Sequence, residues 1–402
     1  FTVPVGNLKP QAGTEYFVNF NVTTVEKEPL IPIGHEIACD QFRLPIESPK
    51  KAFKTSGPKL TVSTNGDNLS ASSSKVNFVF NRKTGIVTSY KVDGTEYFSE
   101  GFGIQPNFWR APTDNDYGNG MPKRLQVWKE SSKNFNVTDA TVTMDGNNAV
   151  VNVNYLLPAG NLYIVNYTIY PSGAVNVAAR FTSTDMDAAQ TEVSEATRTA
   201  TFTPGRDAAR KEASKLNVPR IGVRFRLPAS MNQVEYFGRG PAENYLDRNA
   251  GSMIGLYKST AEELYFPYVR PQENGHHTDT RWVSLSTGKK GLLIQADNTI
   301  GFNALRNSIE DFDDEEATGL PRQWSNFTPE QVANHDEAAA KSVLRRQHHI
   351  NDITPRDFVE VCVDLKQQGV AGYDSWGSRP EPAYTLPANR EYNWGFTLIP
   401  LK

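Results

Sequence analysis

The stretch Tyr236–Trp282 concentrates the side chains that could do acid–base chemistry. It begins YFGRGPAENYLDR and ends YFPYVRPQENGHHTDTRW, with Glu243, Asp247, Glu273 and His276 as candidate acids and bases. Gly238, Gly240, Pro241, Pro267, Pro271 and Gly275 punctuate it, and such residues fix backbone direction tightly. Polar groups this dense on stiff loops point to a surface that binds something. Two other segments share the mixture, Phe108–Gly118 (FWRAPTDNDYG) and Gly372–Gly377 (GYDSWG). Aromatic faces beside carboxylates, amides and arginines suit sugars, whose C–H surfaces stack and whose hydroxyls hydrogen-bond. Most Tyr and Phe of a β-protein belong to its core. Trp376 differs, because it lies between Gly372 and Pro380 beside Asp374 and Ser375, which suggests a loop tip.

Other chemistries lack support. There is no GxSxG elbow, no P-loop and no GxGxxG after a strand. His276-His277 and His348-His349 are adjacent pairs, and neighbours on a strand point to opposite faces, so no metal site is assigned to them. The acidic run Glu310–Glu316 (EDFDDEE) offers the oxygens Ca²⁺ prefers but lacks the glycine and alternation of an EF-hand loop. Its ordinary reading is a solvated loop. Cys39 and Cys362 are the two cysteines, too few for a disulfide framework. A net charge of −3 argues against nucleic acid as the main partner. No apolar run reaches the roughly 20 residues of a membrane helix, so no membrane partner is expected. The chain opens at Phe1 in mid-pattern, which reads as a piece of a longer polypeptide and leaves compartment and oligomeric state, a homo-oligomer included, open.

The elements that must position these segments are strands. Tyr16, Val18 and Phe20 alternate with polar neighbours, and Ile37–Leu44 resumes after Pro29 and Pro32. Two or three strands do not make a stable domain, so residues 1–52 read as the tail of a β-sandwich. Part of Pro45–Ser74 reads as a linker, with an edge strand at Leu60–Ser63, and the second domain runs over 53–402. There, Val76, Phe78 and Phe80 alternate, and Asp93-Gly94 and Asp145-Gly146 are hairpin signals. Strands are predicted at Thr141–Met144, Val150–Leu156, Leu162–Tyr170, Ala174–Phe181, Arg220–Leu227, Gln233–Gly238, Arg281–Ser286, Gly291–Ala296, Phe358–Leu365 and Glu391–Ile399. One helix is predicted, Thr328–Leu344, where Thr328 and Pro329 offer an N-cap and a first turn. This is a large all-β, antiparallel two-sheet structure, too big for an immunoglobulin sandwich of about 100 residues.

Four motifs in this order carry a resemblance: RAPTDND at Arg110–Asp116, GRGPAENYLDR at Gly238–Arg248, PYVRPQENG at Pro267–Gly275 and DSW at Asp374–Trp376. Together they resemble the C-terminal part of bacterial β-galactosidases, family-2 glycoside hydrolases. The resemblance implies that residues 1–52 are the closing strands of an immunoglobulin-like domain. It implies that 53–402 form the terminal small-chain supersandwich, related to galactose mutarotase. Retaining enzymes of this kind use two glutamates roughly 5 Å apart. The resemblance places both on a TIM barrel of the same polypeptide, and the family's Mg and Na sites likewise outside this region, so no catalytic, metal or cofactor residue is expected here. What it implies for this chain is a β-galactoside-facing wall. Trp376 would stack on sugar near the aglycone, supported by Asp374, Asn115, Asp116, Tyr117 and Gly118. The loop Tyr117–Arg124, with Gly118 and Gly120 as hinges, would border the site. An apparent insertion between Arg306 and His348 departs from the family pattern and leaves aglycone preference open. Two other readings compete. A stand-alone aldose epimerase would use Glu273 with His276 or His277 as base and acid; a carbohydrate-binding module would bind sugar unaided.

Overall fold

The computed structural model describes residues 6, 8–183, 216–313, 349–374 and 377–402. The predicted helix Thr328–Leu344, the acidic residues Asp314–Glu316 and most of the apparent insertion lie outside them. The chain divides into two compact units, Phe1–Lys54 and Thr55–Lys402. In the first, β1 (Phe17–Thr23) pairs antiparallel with β2 (Glu36–Arg43). Phe20 and Phe42 meet edge-on with centroids 5.8 Å apart, yet Val22, Ile37 and Phe42 stay more than half exposed.

The second unit is built from two antiparallel sheets. The smaller runs in order β3 (Thr61–Asn65), β4 (Asn68–Ser72), β5 (Val76–Asn81), β6 (Ile86–Val92) and β7 (Thr95–Glu96). Asp93 and Gly94 both take positive φ, 48° and 77°, as a two-residue turn of type I′ requires, and they join β6 to β7. Among the described residues the larger sheet has twelve strands. Its near half consists of β9 (Asn136–Asp145), β10 (Asn148–Leu156), β11 (Leu162–Ile169) and β12 (Val175–Phe181). From β12 it continues through β19 (Tyr392–Leu401), β17 (Gly291–Leu305), β16 (His277–Ser286) and β14 (Gln233–Gly240) to β15 (Met253–Thr260). The fifteen-residue β17 is long enough to branch the sheet. Its first part pairs with β19 and its last with β18 (Phe358–Gln367). β18 then leads to β13 (Arg220–Pro228) and β8 (Gln105–Asn107).

The alternation read from the sequence is what seals the two sheets. Phe78 and Phe80 of β5 point inward and pack on Tyr167 of β11, centroids 5.6 and 6.2 Å apart. Burying a tyrosine strands its hydroxyl unless it finds an acceptor. Tyr90 donates to the Gly173 carbonyl at 2.7 Å and Tyr155 to the Gly85 carbonyl at 3.0 Å, each bond joining one sheet to the other. Every strand predicted in the second unit is present, several longer than expected, because pairing carries a strand past the residues whose pattern announces it. The sequence reading missed β4, within the stretch read partly as a linker, β7, β8 and β15, and three short helices: α1 (Asp114–Gly118), α2 (Met121–Arg124) and α3 (Gln126–Lys133). α3 is held by its fully buried Trp128, which packs between Phe108 and Phe181. A fourth helix, α4 (Ile309–Phe312), follows β17.

Phe78→Ala would empty the contact between the sheets. It should cost about 3–5 kcal/mol, read as a lowered urea midpoint for the second unit.

Candidate carbohydrate-facing rim

The three segments singled out by composition converge on one rim, and a buried ion pair starts the construction. Thr113 caps α1 by accepting the Asp116 amide at 3.2 Å, and the Asp116 carboxylate returns the bond to the Thr113 amide at 3.0 Å. The same carboxylate receives Arg110 Nε at 3.2 Å and Nη2 at 3.0 Å. Arg110 is fully buried and Asp116 only 1% exposed. The two-pronged contact uses the fork geometry that lysine lacks. Arg110 also donates to the Gln368 carbonyl at 2.7 Å and the Gly369 carbonyl at 3.0 Å, at the exit of β18. Asp116 therefore faces the interior, where it holds α1 against that exit.

The next link comes from GRGPAENYLDR. Asn244 is fully buried, and its side-chain oxygen accepts from the Thr278 amide at 2.9 Å, fastening the turn after β14 to β16. Three residues on, Asp247 accepts the Val370 amide at 2.9 Å and the Ala371 amide at 2.8 Å. Ala371 has φ 55°, the left-handed region an L-residue occupies only when its surroundings require it. Gly369 allows the approach, since a Cβ there would lie 2.3 Å from an Asp247 carboxylate oxygen.

The outer face follows. Asn115 Nδ2 donates to the Val370 carbonyl at 3.4 Å and Asn119 Nδ2 to the Ser378 carbonyl at 3.4 Å. Asp374 accepts the Ser378 amide at 3.2 Å. Trp376 itself lies outside the described residues. Tyr117 receives the Arg270 guanidinium over its ring at 3.8 Å, and Arg270 also lies 3.8 Å from Asp114. Gln272 Nε2 donates to Asp114 at 3.2 Å. Asn115, Asp116, Tyr117, Gly118 and Asp374 are thus gathered at one place, with Arg270 and Gln272 of the PYVRPQENG motif beside them. Arg270 and Gln272 were not among the candidates read from the sequence; their signal was their place in a motif already singled out.

Gly118, expected as a hinge, is a close backbone contact. A Cβ there would meet Gly377 Cα at 3.1 Å, and a Cβ on Gly377 would meet the Gly118 carbonyl carbon at 2.5 Å, so two backbones touch where neither residue carries a side chain. The predicted loop Tyr117–Arg124 is largely helical, the end of α1 and α2, pinned by Met121, which is fully buried. Gly120 supplies the left-handed turn between them at φ 72°.

The acid–base candidates lie deeper. Glu273 is 5% exposed, and its Oε1 accepts from Arg220 Nη2 at 3.0 Å, Asn303 Nδ2 at 3.0 Å and Gln367 Nε2 at 2.8 Å. His276 is 1% exposed, with Nδ1 2.9 Å from Asn303 Oδ1. Burial, then the Arg220 charge, drives its pKa well below the usual imidazole value, and burial lowers that of His277. A general base has to reach the proton it removes, and this pair is buried and held by Arg220, Asn303 and Gln367. Asp364 lies 3.1 Å from Arg220 Nε but off the N–H direction, so its carboxylate accepts no side-chain hydrogen bond. Burial pushes it up to about 8 against the pull of Arg220. A cleft of roughly 270 Å³, including solvent at its mouth, reaches this layer and is lined by Arg220, Glu273, Asn303 and Phe312 among others. Of the acidic run, Glu310 pairs with Arg224 at 2.8 Å and Asp313 with Lys129 at 2.7 Å. Among the described residues, no three His, Cys, Asp or Glu side chains gather as a metal ion would need.

Two outcomes are expected. Asp116→Ala leaves a buried Arg110 unpaired and should cost about 3–5 kcal/mol, measured by urea unfolding. Asp364 holds its proton in the folded chain to about pH 8 but sheds it near pH 4 when unfolded, so its contribution to stability is lost as pH rises through that window. The buried histidines act oppositely: below about pH 6.5 the unfolded chain binds protons the folded one refuses. Asp364→Asn removes the opposing term. Between pH 5 and 7 its stability should rise with pH more steeply than that of the wild type, by about 1.4 kcal/mol per pH unit.

Comparisons agree with the motifs. The family model described as the beta galactosidase small chain matches residues 72–398. The beta-galactosidase of Priestia megaterium is 31% identical over 92% of this chain and 30% of that protein. The beta-galactosidase of Streptococcus thermophilus is 25% identical over 100% of this chain and 33% of that protein. The chain thus spans about a third of the length of these curated relatives. The beta-galactosidase small subunit of Latilactobacillus sakei is 27% identical over 80% of this chain and 92% of that one. Among solved structures, the galactose 1-epimerase of Lactobacillus acidophilus NCFM covers 86% of this chain and 98% of its own at 9% identity and a TM-score of 0.39. A putative mutarotase from Salmonella typhimurium gives a TM-score of 0.38 at 9% identity over 86% and 94%. These two likenesses are too distant to bear on the chemistry of this chain. With its family's model covering most of its length, the chain belongs to the beta-galactosidase small chain family.

Proposed function

We propose that the chain is the non-catalytic C-terminal region of a β-galactosidase and supplies one wall of a pocket for terminal β-galactosides. The observation that carries this reading is the convergence of Asn115–Gly118 with Arg270, Gln272, Gly372 and Gly377 on one rim. Amides, a carboxylate and a stacked arginine–tyrosine pair stand there, and Trp376 follows Asp374 by two residues in the sequence. On this reading Trp376 stacks on the sugar near its aglycone, while Asn115, Tyr117 and Asp374 meet hydroxyls. Asp116 works from beneath.

The reaction itself belongs to residues elsewhere. Retaining glycoside hydrolysis needs an acid and a nucleophile roughly 5 Å apart on either side of the scissile bond. The rim carboxylates are engaged differently: Asp116 by Arg110, Asp247 by two amides, and Asp114 by Gln272 and Arg270. We therefore assign the two catalytic glutamates to a TIM barrel joined to residues 1–54. Those residues would complete an immunoglobulin-like sandwich between the barrel and the small-chain domain. The Latilactobacillus sakei relative, named a small subunit, fits a division of labour between two parts. The buried state of Glu273 and His276 counts against epimerase chemistry.

The isolated chain should show no turnover of a chromogenic β-galactoside and only weak galactose affinity by calorimetry, because one wall leaves most hydroxyls unmatched. Joined to a catalytic barrel it should support hydrolysis, and Trp376→Ala should then raise KM by about tenfold, the loss of one stacking contact. Clear hydrolysis by residues 1–402 alone would defeat the proposal.

A further inference from the structure

The turn Gln368–Ala371 is gripped from two sides. Arg110 takes the carbonyls of Gln368 and Gly369, and Asp247 takes the amides of Val370 and Ala371. Consecutive amides that face one carboxylate form a concave anion nest. Here the anion is a side chain of the same protein. It comes from a turn that is itself fixed to β16 through Asn244. Ala371 is the point of consequence. Its left-handed φ of 55° reverses the chain just before Gly372, whose own φ is 97°. A Cβ on Gly372 would lie 2.6 Å from Asn115 Nδ2. A side-chain anion that stabilises a strained backbone conformation also determines where the following residues point.

We propose that Asp247 is a positioning residue for the rim, holding Ala371 left-handed so that Gly372 and Gly377 are delivered against α1 in the geometry that receives substrate. The proposal rests on the carbohydrate-facing reading above. Asp247 does not touch substrate; it acts through two backbone amides. Removing its charge leaves the sheets and the Arg110–Asp116 pair in place, and frees the turn to relax toward an ordinary right-handed conformation.

Asp247→Asn keeps the shape but turns one acceptor into a donor facing an amide. In the whole chain, hydrogen exchange read by mass spectrometry should show the amides of 370–374 opening about tenfold faster in the variant, with β10, β11 and β17 unchanged. Adding Ala371→Gly, which removes the steric cost of the left-handed residue, should return exchange to within about twofold of wild type. In the enzyme assembled with its catalytic barrel, Asp247→Asn should raise KM for a β-galactoside by about five- to tenfold, with kcat and Tm little changed, and Ala371→Gly should restore KM. Wild-type exchange rates in Asp247→Asn would overturn the proposal, whatever the activity. So would faster exchange with unaltered KM, or a parallel fall in kcat and Tm without rescue. An assembled wild-type enzyme that hydrolyses no galactoside would defeat the functional reading instead, and the exchange experiment would still decide the role of Asp247.

Discussion

The rim depends on a backbone turn held between opposite charges. At the end of β18 the chain leaves a twelve-stranded sheet and must present its next residues in one direction. Hydrogen bonds of the sheet stop there, so four carbonyl and amide groups need other partners. Arg110 and Asp247 supply them, the first from below and the second from the side. Each is anchored in its turn, Arg110 by Asp116 and Asp247 through the turn that Asn244 ties to β16. A buried ion pair contributes little net stability compared with an apolar substitute, and one retained at such a place serves specificity of conformation. At this site the specified conformation is the direction of a loop.

Beneath the rim lies a second polar layer of a different character. Arg220 shares Glu273 and Asp364 in full burial, with Asn303, Gln367 and His276 around them. Desolvation dominates there: it keeps His276 neutral and drives the Asp364 carboxyl toward its protonated form. The layer knits β13, β17, β18 and the loop that enters β16 together at the branch of the sheet. Charged residues in a sheet interior resemble catalytic machinery in a sequence. In the folded chain they are partners of one another.

Much of the fold was legible because strand alternation is a local property. Phe78 and Phe80, or Val151, Val153 and Tyr155, announce an inward face without help from the rest of the chain. β8 was not legible, since its three residues, Gln105–Asn107, are all buried and carry no alternation. β15 shows no clean alternation either, with Ile254, Tyr257 and Ser259 partly covered alike. The short helices α1 and α2 hid because four or five residues leave no periodicity. The site divided in the same way. Its segments were visible in composition, but their roles were not. Asp116 and Asn115 are adjacent letters of one motif, and only the fold tells that the first faces Arg110 and the second faces Val370. Asp247 looked like a candidate acid, and nothing local showed that two amides 123 and 124 residues away would occupy it.

The contact between Gly118 and Gly377 has a bearing on how such a rim can diversify. Two main chains meet there, with no room for a Cβ on Gly377 and only a tight fit for one on Gly118. A side chain is not easily added at this contact, because a methyl group on Gly377 already collides with the Gly118 backbone. The open route is exchange of the side chains that project from the fixed frame, at Asn115, Tyr117, Arg270, Tyr373 and Asp374. Selectivity would then drift by replacement of functional groups, while the distance between the loops stays constant through descent.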